Sequence, residues 1–185
     1  RRVANHFSAQ FSGGAWFVDL SEINDEDGII RAVAQSMNIQ LPLDGEVDTT
    51  GFLAEQISAR GRLLIVLDNF EQVVAHAVST VGRWLSAAPS AQFLVTTREA
   101  LSLPSEVRVP LNPLSQDEAI ELLQALAKGR GGTWGDDDAT LGTLGEIVDA
   151  LDRLPLAIEL AAARARVLSP SDLRDRLAQR FKLLR

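Results

Sequence analysis

The chain has 185 residues, of which 46% are hydrophobic and 23% charged, enough for one α/β core with a small helical unit attached. This composition excludes a disordered or fibrous protein, and no apolar run reaches the roughly 18 residues that a membrane helix needs. Zero cysteines exclude disulfides, thiolate zinc sites and a cysteine nucleophile, and two scattered histidines are too few for a histidine metal site. Because the amino terminus shows no secretory pattern, we expect a cytoplasmic protein.

The net charge of −7 is unevenly distributed along the chain. Residues 153–185 include eight basic and three acidic residues, so this end carries +5 and the first 152 residues carry −12. The basic end lacks interleaved aromatic residues and a recognisable motif for reading nucleic acid. We therefore expect solvated helix faces or a contact with an acidic neighbouring domain, and neither membrane nor direct nucleic-acid binding.

Strands and helices alternate along the first part of the chain. Val3, Phe7 and Phe11 recur at helical spacing, which predicts that the chain begins inside a helix and favours a fragment of a longer protein. Strands separated by helices imply right-handed crossovers and a parallel sheet. The predicted elements that follow are a strand at 15–20, helices at 25–38 and near 52–57, a strand ending at Asp68, a periodic helix at 73–85, a strand at 93–97 and a short strand at 107–109.

The pattern changes at Ser115, after which four helices are predicted. Ser115 and Glu118 form a capping box, in which the hydroxyl and the carboxylate each accept a backbone N–H. Acidic residues at 136–138 cap the second helix, and Pro155 opens an alanine-rich third helix, where its missing N–H costs least. The predicted domains are an α/β lobe at 1–113 and a helical lobe at 114–185.

Two predicted strands end in polar residues that suit phosphate chemistry. The apolar run at 63–67 is followed by Asp68 and Asn69, and the run at 93–96 by Thr97 and Arg98. Such runs are typical of strands buried on both faces of a parallel sheet. The carboxyl ends of these strands open onto a ligand crevice, where an aspartate can hold Mg²⁺ through water and an arginine can meet a phosphate. The pattern predicts a P-loop-type nucleotide-binding module.

The phosphate-cradling sequence G-x-x-x-x-G-K-[ST] is absent from the 185 residues. The backbone N–H groups and the lysine of that loop supply most of the energy of phosphate binding. The segment that carries this loop, which we expect before Arg1, should also contain the central strand of the sheet. We therefore expect this chain alone to bind no nucleotide tightly and to be inactive.

Three motifs occur in order along the chain: LLIVLDNFE at 63–71, FLVTTRE at 93–99 and LDRLPLAIELAAARA at 151–165. Together they resemble the nucleotide-binding region of the STAND class of signal-transduction ATPases, relatives of NB-ARC proteins, as it occurs in large bacterial transcription activators. The resemblance runs over nearly the whole chain. It implies a regulatory switch whose parent protein binds ATP or ADP with Mg²⁺, and whose nucleotide state moves the helical lobe and thereby controls other domains of the parent chain.

The resemblance assigns roles to the residues after the second predicted strand. Asp68 matches the Walker B residue, which positions Mg²⁺ and its waters against the phosphates. Asn69 stands where many P-loop ATPases have a catalytic carboxylate, and because an amide cannot take a proton from water at neutral pH, slow hydrolysis is implied. Glu71 is the nearest carboxylate, and we expect it to act as a favourable charge at a helix N-terminus.

Thr97 and Arg98 match the sensor position of this family. A guanidinium there can read the γ-phosphate bidentately and so report ATP against ADP. The structural alternative is an ion pair of Arg98 with Glu99 or Asp68.

Pro155 matches the proline of the G-x-P element of the family, which packs near the adenine. Arg153 stands in the place of the glycine, so a close approach of the backbone to a base is not expected from this sequence.

A second function, from a different class, stays open: a non-catalytic interaction scaffold that binds a protein partner and no nucleotide. The absent phosphate loop and Asn69 favour it. A dinucleotide-binding enzyme would need a glycine-rich first turn, which the sequence lacks. The residues upstream of Arg1 would decide between switch and scaffold, and self-association of the parent is left open.

Overall fold

The computed structural model describes residues 10–42, 47–132 and 134–182, with side chains up to residue 179. Most of the helix predicted around Val3 and Phe7 lies outside these residues. The chain divides into two compact units, residues 1–108 and residues 109–185, here called the α/β unit and the helical unit. Each is described by itself.

The α/β unit contains a parallel sheet of three strands in the order β1, β2, β3. The strands are β1 (Ala15–Asp19), β2 (Leu64–Asp68) and β3 (Gln92–Val95). In the register of the sheet, Asp19 lies opposite Asp68, and Leu67 lies opposite Val95. This arrangement confirms the predicted parallel α/β sheet and places the carboxyl ends of all three strands at one edge.

Two capped helices cover one face of the sheet. They are α1 (Glu26–Ser36) and α2 (Thr49–Ala59), and the side chains of Asp25 and Asp48 accept a backbone N–H in their first turns. Their apolar faces meet Ile65 and Leu67 of β2 in the main core, where both side chains are 0% exposed. The opposite face carries a smaller cluster of Phe11, Leu64 and Val66. β2 is therefore buried on both faces, as its apolar run predicts.

The segment after β2 is not the regular helix that its spacing predicts. It consists of a 3-10 helix (Phe70–His76), a π-helical turn (Val78–Gly82) and α3 (Arg83–Ala87), with a non-helical residue at Val73. The hydroxyl of Thr80 donates to the carbonyl oxygen of His76 at 2.6 Å, so a side chain takes a partner that a regular helix gives to the backbone. Much of the apolar face remains buried, since Val73, Val81 and Trp84 are at most 1% exposed, but Val78 is 66% exposed.

The structure corrects two further strand predictions. β3 ends at Val95 rather than at Thr97, and it is not buried on both faces, because Leu94 is 42% exposed. No strand forms at 107–109 within the described residues, where Val107 and Val109 are 86% and 77% exposed. The valine pattern there predicts a strand, but a strand requires a neighbour to pair with its backbone, and this stretch has none among the described residues.

Within its described residues, the helical unit has the four helices that the sequence predicts. They are α4 (Gln116–Gly129), α5 (Asp138–Ala150), α6 (Pro155–Ala162) and α7 (Pro170–Lys182). The core between them includes Leu123, Leu144, Ile147 and Ile158, each 0% exposed. In the parts of the chain that the structure describes, no helix combines the length and apolar character that crossing a membrane requires.

Three carboxylates, here called the cap carboxylates, lie at the amino-terminal ends of α4, α5 and α7. Glu118 accepts hydrogen bonds from the hydroxyl and the backbone N–H of Ser115, which completes the predicted capping box. Asp137 accepts them from Thr140, and Asp172 from Ser169. In each case the hydroxyl contributes most, and the bonds hold the pKa of the carboxyl below its usual range.

Candidate functional site

The carboxyl edge of the sheet is joined by a chain of hydrogen bonds around Asp68. The hydroxyl of Thr96, the first residue after β3, donates to Oδ1 of Asp68. The same hydroxyl oxygen accepts the backbone N–H of Asn69 at 3.0 Å. Backbone bonds support this geometry, since Phe70 N–H donates to the Thr96 carbonyl at 2.9 Å. Asp68 is half-buried, so one carboxylate oxygen is held by protein while solvent reaches the residue.

Asn69 adopts a left-handed conformation with φ 61° and ψ 48°. Asparagine tolerates this region better than most residues, so it suits a sharp turn at the end of a strand. Its Nδ2 donates to Oδ1 of Asp19, at the end of β1, over 3.2 Å. A carboxylate oxygen only accepts hydrogen bonds, so the amino group of the amide, and not its oxygen, must face Asp19. The ends of all three strands are thereby linked.

The sensor candidates lie just beyond β3. The side chain of Arg98 is 87% exposed, and its Nε lies 3.7 Å from Oε1 of Glu71. The structure therefore pairs Arg98 with Glu71 rather than with Glu99 or Asp68, the partners that the sequence suggests. An exposed pair at this distance contributes little to stability, so the guanidinium remains accessible to an anionic ligand. Thr97 Oγ1 accepts the backbone N–H of Glu99 at 3.2 Å. The hydroxyl that donates to Asp68 is that of Thr96, not that of Thr97.

Pro155 occupies the first position of α6, as predicted, and follows Leu154 as the N-cap. The preceding residues Asp152 and Arg153 have positive φ values of 52° and 54°. Arg153 therefore adopts the backbone conformation that a glycine takes most easily. The family that the sequence motifs resemble has a glycine at the matching position. Pro155 belongs to the helical unit, whereas Asp68, Asn69, Thr97 and Arg98 belong to the α/β unit and gather near one sheet edge.

Thr96 and Asp19 are the residues of this edge that sequence reasoning missed. The Thr96–Thr97 pair offers two hydroxyls, and the sequence alone does not say where β3 ends. For Asp19 a signal did exist, because β1 (AWFVD) and β2 (LIVLD) are apolar strands that both end in aspartate. Their alignment in register is a property of the sheet and is visible only in the structure.

The donor set at this edge suits a hydrated cation bound together with a ligand. Asp68 supplies a carboxylate, a hard oxygen ligand of the kind that Mg²⁺ prefers. Across the described parts of the chain, no three histidine, cysteine or acidic side chains gather to hold a metal by themselves. With Asp68 as the carboxylate ligand, the remaining positions around a cation would be filled by water or by oxygen atoms of a ligand.

The chain is similar to parts of longer mycobacterial proteins. It is 37% identical over 181 residues to a Mycobacterium tuberculosis protein that carries the provisional name HTH-type transcriptional regulator, and an equally similar protein occurs in Mycobacterium bovis. The match covers 96% of this chain and 20% of that protein. An uncharacterized M. tuberculosis protein is 31% identical over 184 residues, which cover 99% of this chain and 46% of that protein. The chain thus spans a fifth to about half of the length of these relatives.

Two solved structures share the fold at low sequence identity. A Walker-type ATPase of Pyrococcus abyssi matches with a TM-score of 0.59 and 13% identity over 92% of this chain and 61% of its own. Drosophila ORC bound to DNA matches with a TM-score of 0.57 and 14% identity over 92% of this chain and 53% of its own. No model of a known protein family matches the chain. The chain therefore has the α/β fold of P-loop ATPases and is similar to a region of longer proteins named as transcriptional regulators.

Proposed function

We propose that this chain is the nucleotide-binding region of a longer transcriptional regulator, in which bound ATP or ADP sets the position of the helical unit. The observation that carries the proposal is the hydrogen-bonded edge formed by Asp68, Thr96 and Asn69 at the carboxyl ends of parallel strands. Ligands of open α/β sheets bind at such edges. The similarity to regulators and the ATPase fold support the same function.

Each residue of the edge has a role in this proposal. Asp68 holds Mg²⁺ through water, and Thr96 keeps the carboxylate in one orientation by donating to its Oδ1. Arg98, with its exposed guanidinium, meets the γ-phosphate, and Thr97 lies beside it. Pro155, at the start of α6, packs near the adenine. The G-x-x-x-x-G-K-[ST] loop is to be sought elsewhere in the regulator, because it does not occur in these 185 residues.

Turnover in this arrangement is slow. Hydrolysis requires the attacking water to lose a proton, and a positioned carboxylate usually accelerates that step by a factor of roughly 10² to 10⁴. Asn69 offers an amide oxygen, which can orient water but does not accept its proton at neutral pH. A long-lived ATP state suits a protein that signals by its nucleotide state rather than by product formation.

A protein-interaction scaffold is the second candidate, and α6 favours it. Leu156 and Leu160 are 69% and 66% exposed, and their spacing of four residues places them on one face of the helix. Adjacent exposed leucines on one face are typical of a contact surface for protein. A nucleotide switch also needs such a surface, so α6 alone does not decide between the two functions.

The deciding experiment is calorimetric titration of the full-length regulator with ATP, with and without Mg²⁺. We expect Mg²⁺-dependent ATP binding that weakens at least tenfold in Asp68→Ala. Glu55→Ala, which removes an exposed carboxylate from α2, is the matched control and should bind like the wild type. Unchanged Mg²⁺-dependent binding and turnover in Asp68→Ala would remove this residue from the site. A wild-type regulator that binds no ATP would leave the scaffold as the function.

A further inference from the structure

We propose that Asp19 is a positioning residue, which fixes the side-chain amide of Asn69 with its oxygen directed toward the nucleotide edge and thereby keeps hydrolysis slow. This inference rests on the proposed nucleotide function of the edge. It adds a residue to which the resemblance of the sequence motifs assigns no role, and it explains why position 69 holds an amide in place of a carboxylate.

The contact between Asp19 and Asn69 links the ends of two neighbouring strands. Asp19 lies opposite Asp68 in the register of β1 and β2, so its side chain lies beside the residue that follows Asp68. Nδ2 of Asn69 donates to Oδ1 of Asp19 over 3.2 Å. The same Oδ1 accepts the backbone N–H of Ser21 at 3.0 Å, which holds the carboxylate in the turn after β1. The bond from Ser21 therefore holds the Asp19 carboxylate in place independently of the Asn69 amide.

The backbone of Asn69 is fixed from the other side. Its N–H donates to the hydroxyl oxygen of Thr96, which in turn donates to Asp68. With the backbone held by Thr96 and Nδ2 held by Asp19, the amide plane has one orientation. The hydrogen bonds of Asn69 within the described residues use its backbone N–H and Nδ2, so Oδ1 is the atom of the amide that we expect to meet a water molecule.

This orientation determines what position 69 can do in hydrolysis. When water attacks the γ-phosphorus, a new P–O bond forms, the bond to the bridging oxygen breaks and ADP leaves. The proton released by the water goes to a phosphate oxygen or to solvent, because Oδ1 of Asn69 accepts a hydrogen bond but not the proton itself. The amide aligns the water without acting as a base.

Asp19 also disfavours a carboxylate at position 69. Two carboxylates at the present distance of 3.2 Å would lose the hydrogen bond between residues 19 and 69, and like charges so close are unfavourable. Exchanging the two side chains restores the donor, because an amide at 19 can donate to a carboxylate at 69. The double exchange therefore restores the hydrogen bond between residues 19 and 69 and, at the same time, gives position 69 a carboxylate that can accept a proton from water.

The contact is tested by thermal unfolding of the 185-residue chain in four forms: wild type, Asp19→Asn, Asn69→Asp and the double exchange. We expect Asn69→Asp to have the lowest melting temperature, a few degrees below the wild type, and the double exchange to recover most of that loss. Melting temperatures that simply add in the double exchange would show that the two side chains do not interact, and the proposal would be wrong.

The positioning role is tested by ATP turnover and ATP affinity of the full-length regulator. We expect the double exchange to raise kcat at least tenfold at unchanged ATP affinity, because a carboxylate now faces the water. A recovered melting temperature with no gain in kcat would make the pair structural only and refute its role in hydrolysis. Failure of the wild-type regulator to bind ATP would instead refute the proposed function, and the melting temperatures would still decide whether Asp19 holds Asn69.

Discussion

Replacing Thr96 with valine should destabilise the α/β unit through the loss of two hydrogen bonds. The hydroxyl donates to Asp68 and accepts from the backbone N–H of Asn69, and valine has nearly the same shape without the hydroxyl. A hydrogen bond contributes about 0.5 to 1.5 kcal/mol net, and one to a charged group more. Because Thr96 is exposed and water can replace part of both contacts, we expect a loss of about 1 to 2 kcal/mol.

The assay follows tryptophan fluorescence during thermal and urea unfolding of the 185-residue chain. A Trp134→Phe background removes the tryptophan of the helical unit, so that the signal comes from Trp16 and Trp84 of the α/β unit. For a chain of this size, a loss of 1 kcal/mol lowers the melting temperature by about 2 to 4 °C, so Thr96→Val should melt roughly 2 to 8 °C lower.

Two matched variants test whether the loss of stability comes from the Thr96 hydroxyl. Thr97→Val removes a hydroxyl that accepts only the N–H of Glu99 at 3.2 Å, and it should cost less than half as much. Thr96→Ser keeps the hydroxyl and should retain most of the stability. Equal losses in Thr96→Val and Thr97→Val, or a full loss in Thr96→Ser, would show that the hydroxyl bridge to Asp68 does not hold the edge together.

Three further outcomes can be measured. Leu67→Asp should unfold the α/β unit as judged by circular dichroism, because it places an unpaired charge at a side chain that is 0% exposed, whereas Leu94→Asp, on the half-covered strand β3, should be tolerated. The cap carboxylates have pKa values below those of the unfolded chain, so their contribution to the stability of the helical unit should be complete above about pH 5 and should be lost as the pH falls through the pKa values of the folded chain. A variant with all three carboxylates replaced by amides should show a flatter dependence of melting temperature on pH. In the full-length regulator, Arg98→Ala should weaken ATP binding by roughly ten- to more than a hundredfold and leave ADP binding unchanged. If the affinities for ATP and ADP fall together with a large drop in melting temperature, Arg98 is structural. Pro155→Ala should weaken the binding of both nucleotides equally.

The strands show which part of the fold can be predicted from sequence. β2 is an uninterrupted apolar run closed by polar residues, and such a run is stable only when both faces are covered, so its position and burial were both predictable. The run at β3 looks the same in sequence, yet Leu94 is 42% exposed, because burial of the second face depends on what lies beside and above the strand. Neighbours in space are not encoded in the run itself.

In the segment after β2, the sequence predicts the burial of side chains better than it predicts the backbone hydrogen bonds. The spacing of its apolar residues correctly predicts the burial of Val73, Val81 and Trp84, but it also places Val78 on the buried face, and Val78 is 66% exposed. The predicted regular helix is wrong: Val73 leaves the helical region, and the segment changes from a 3-10 helix to a π-helical turn near the carbonyl oxygen of His76, which also accepts the Thr80 hydroxyl. Periodicity reports the direction of side chains, whereas local competition for carbonyl oxygens determines the type of turn.

The candidate site shows the same division. Asp68 and Asn69 were predictable because they close a strand whose end is clear in the sequence. Thr96 was not, since β3 ends at Val95 and the first hydroxyl beyond the strand is the one that reaches Asp68. The partner of Arg98 was also not predictable, because Glu71 is 27 positions away and reaches it only through the packing of β2 beside β3. Contacts between strand ends depend on register, which the sequence does not display.

Arg153 shows how hydrogen bonds can hold a large residue in a backbone conformation that favours glycine. A glycine at this position would be free to take positive φ, and Arg153 takes it at 54° despite its side chain. Its backbone N–H donates to the Val148 carbonyl at 2.9 Å and its carbonyl accepts the N–H of Leu114 at 3.2 Å, so the turn before α6 is held on both sides of the residue. The guanidinium meets Asp149 at 3.6 Å. The turn before α6 therefore has the backbone geometry that glycine adopts most easily although an arginine occupies position 153, because hydrogen bonds on both sides of the residue hold it.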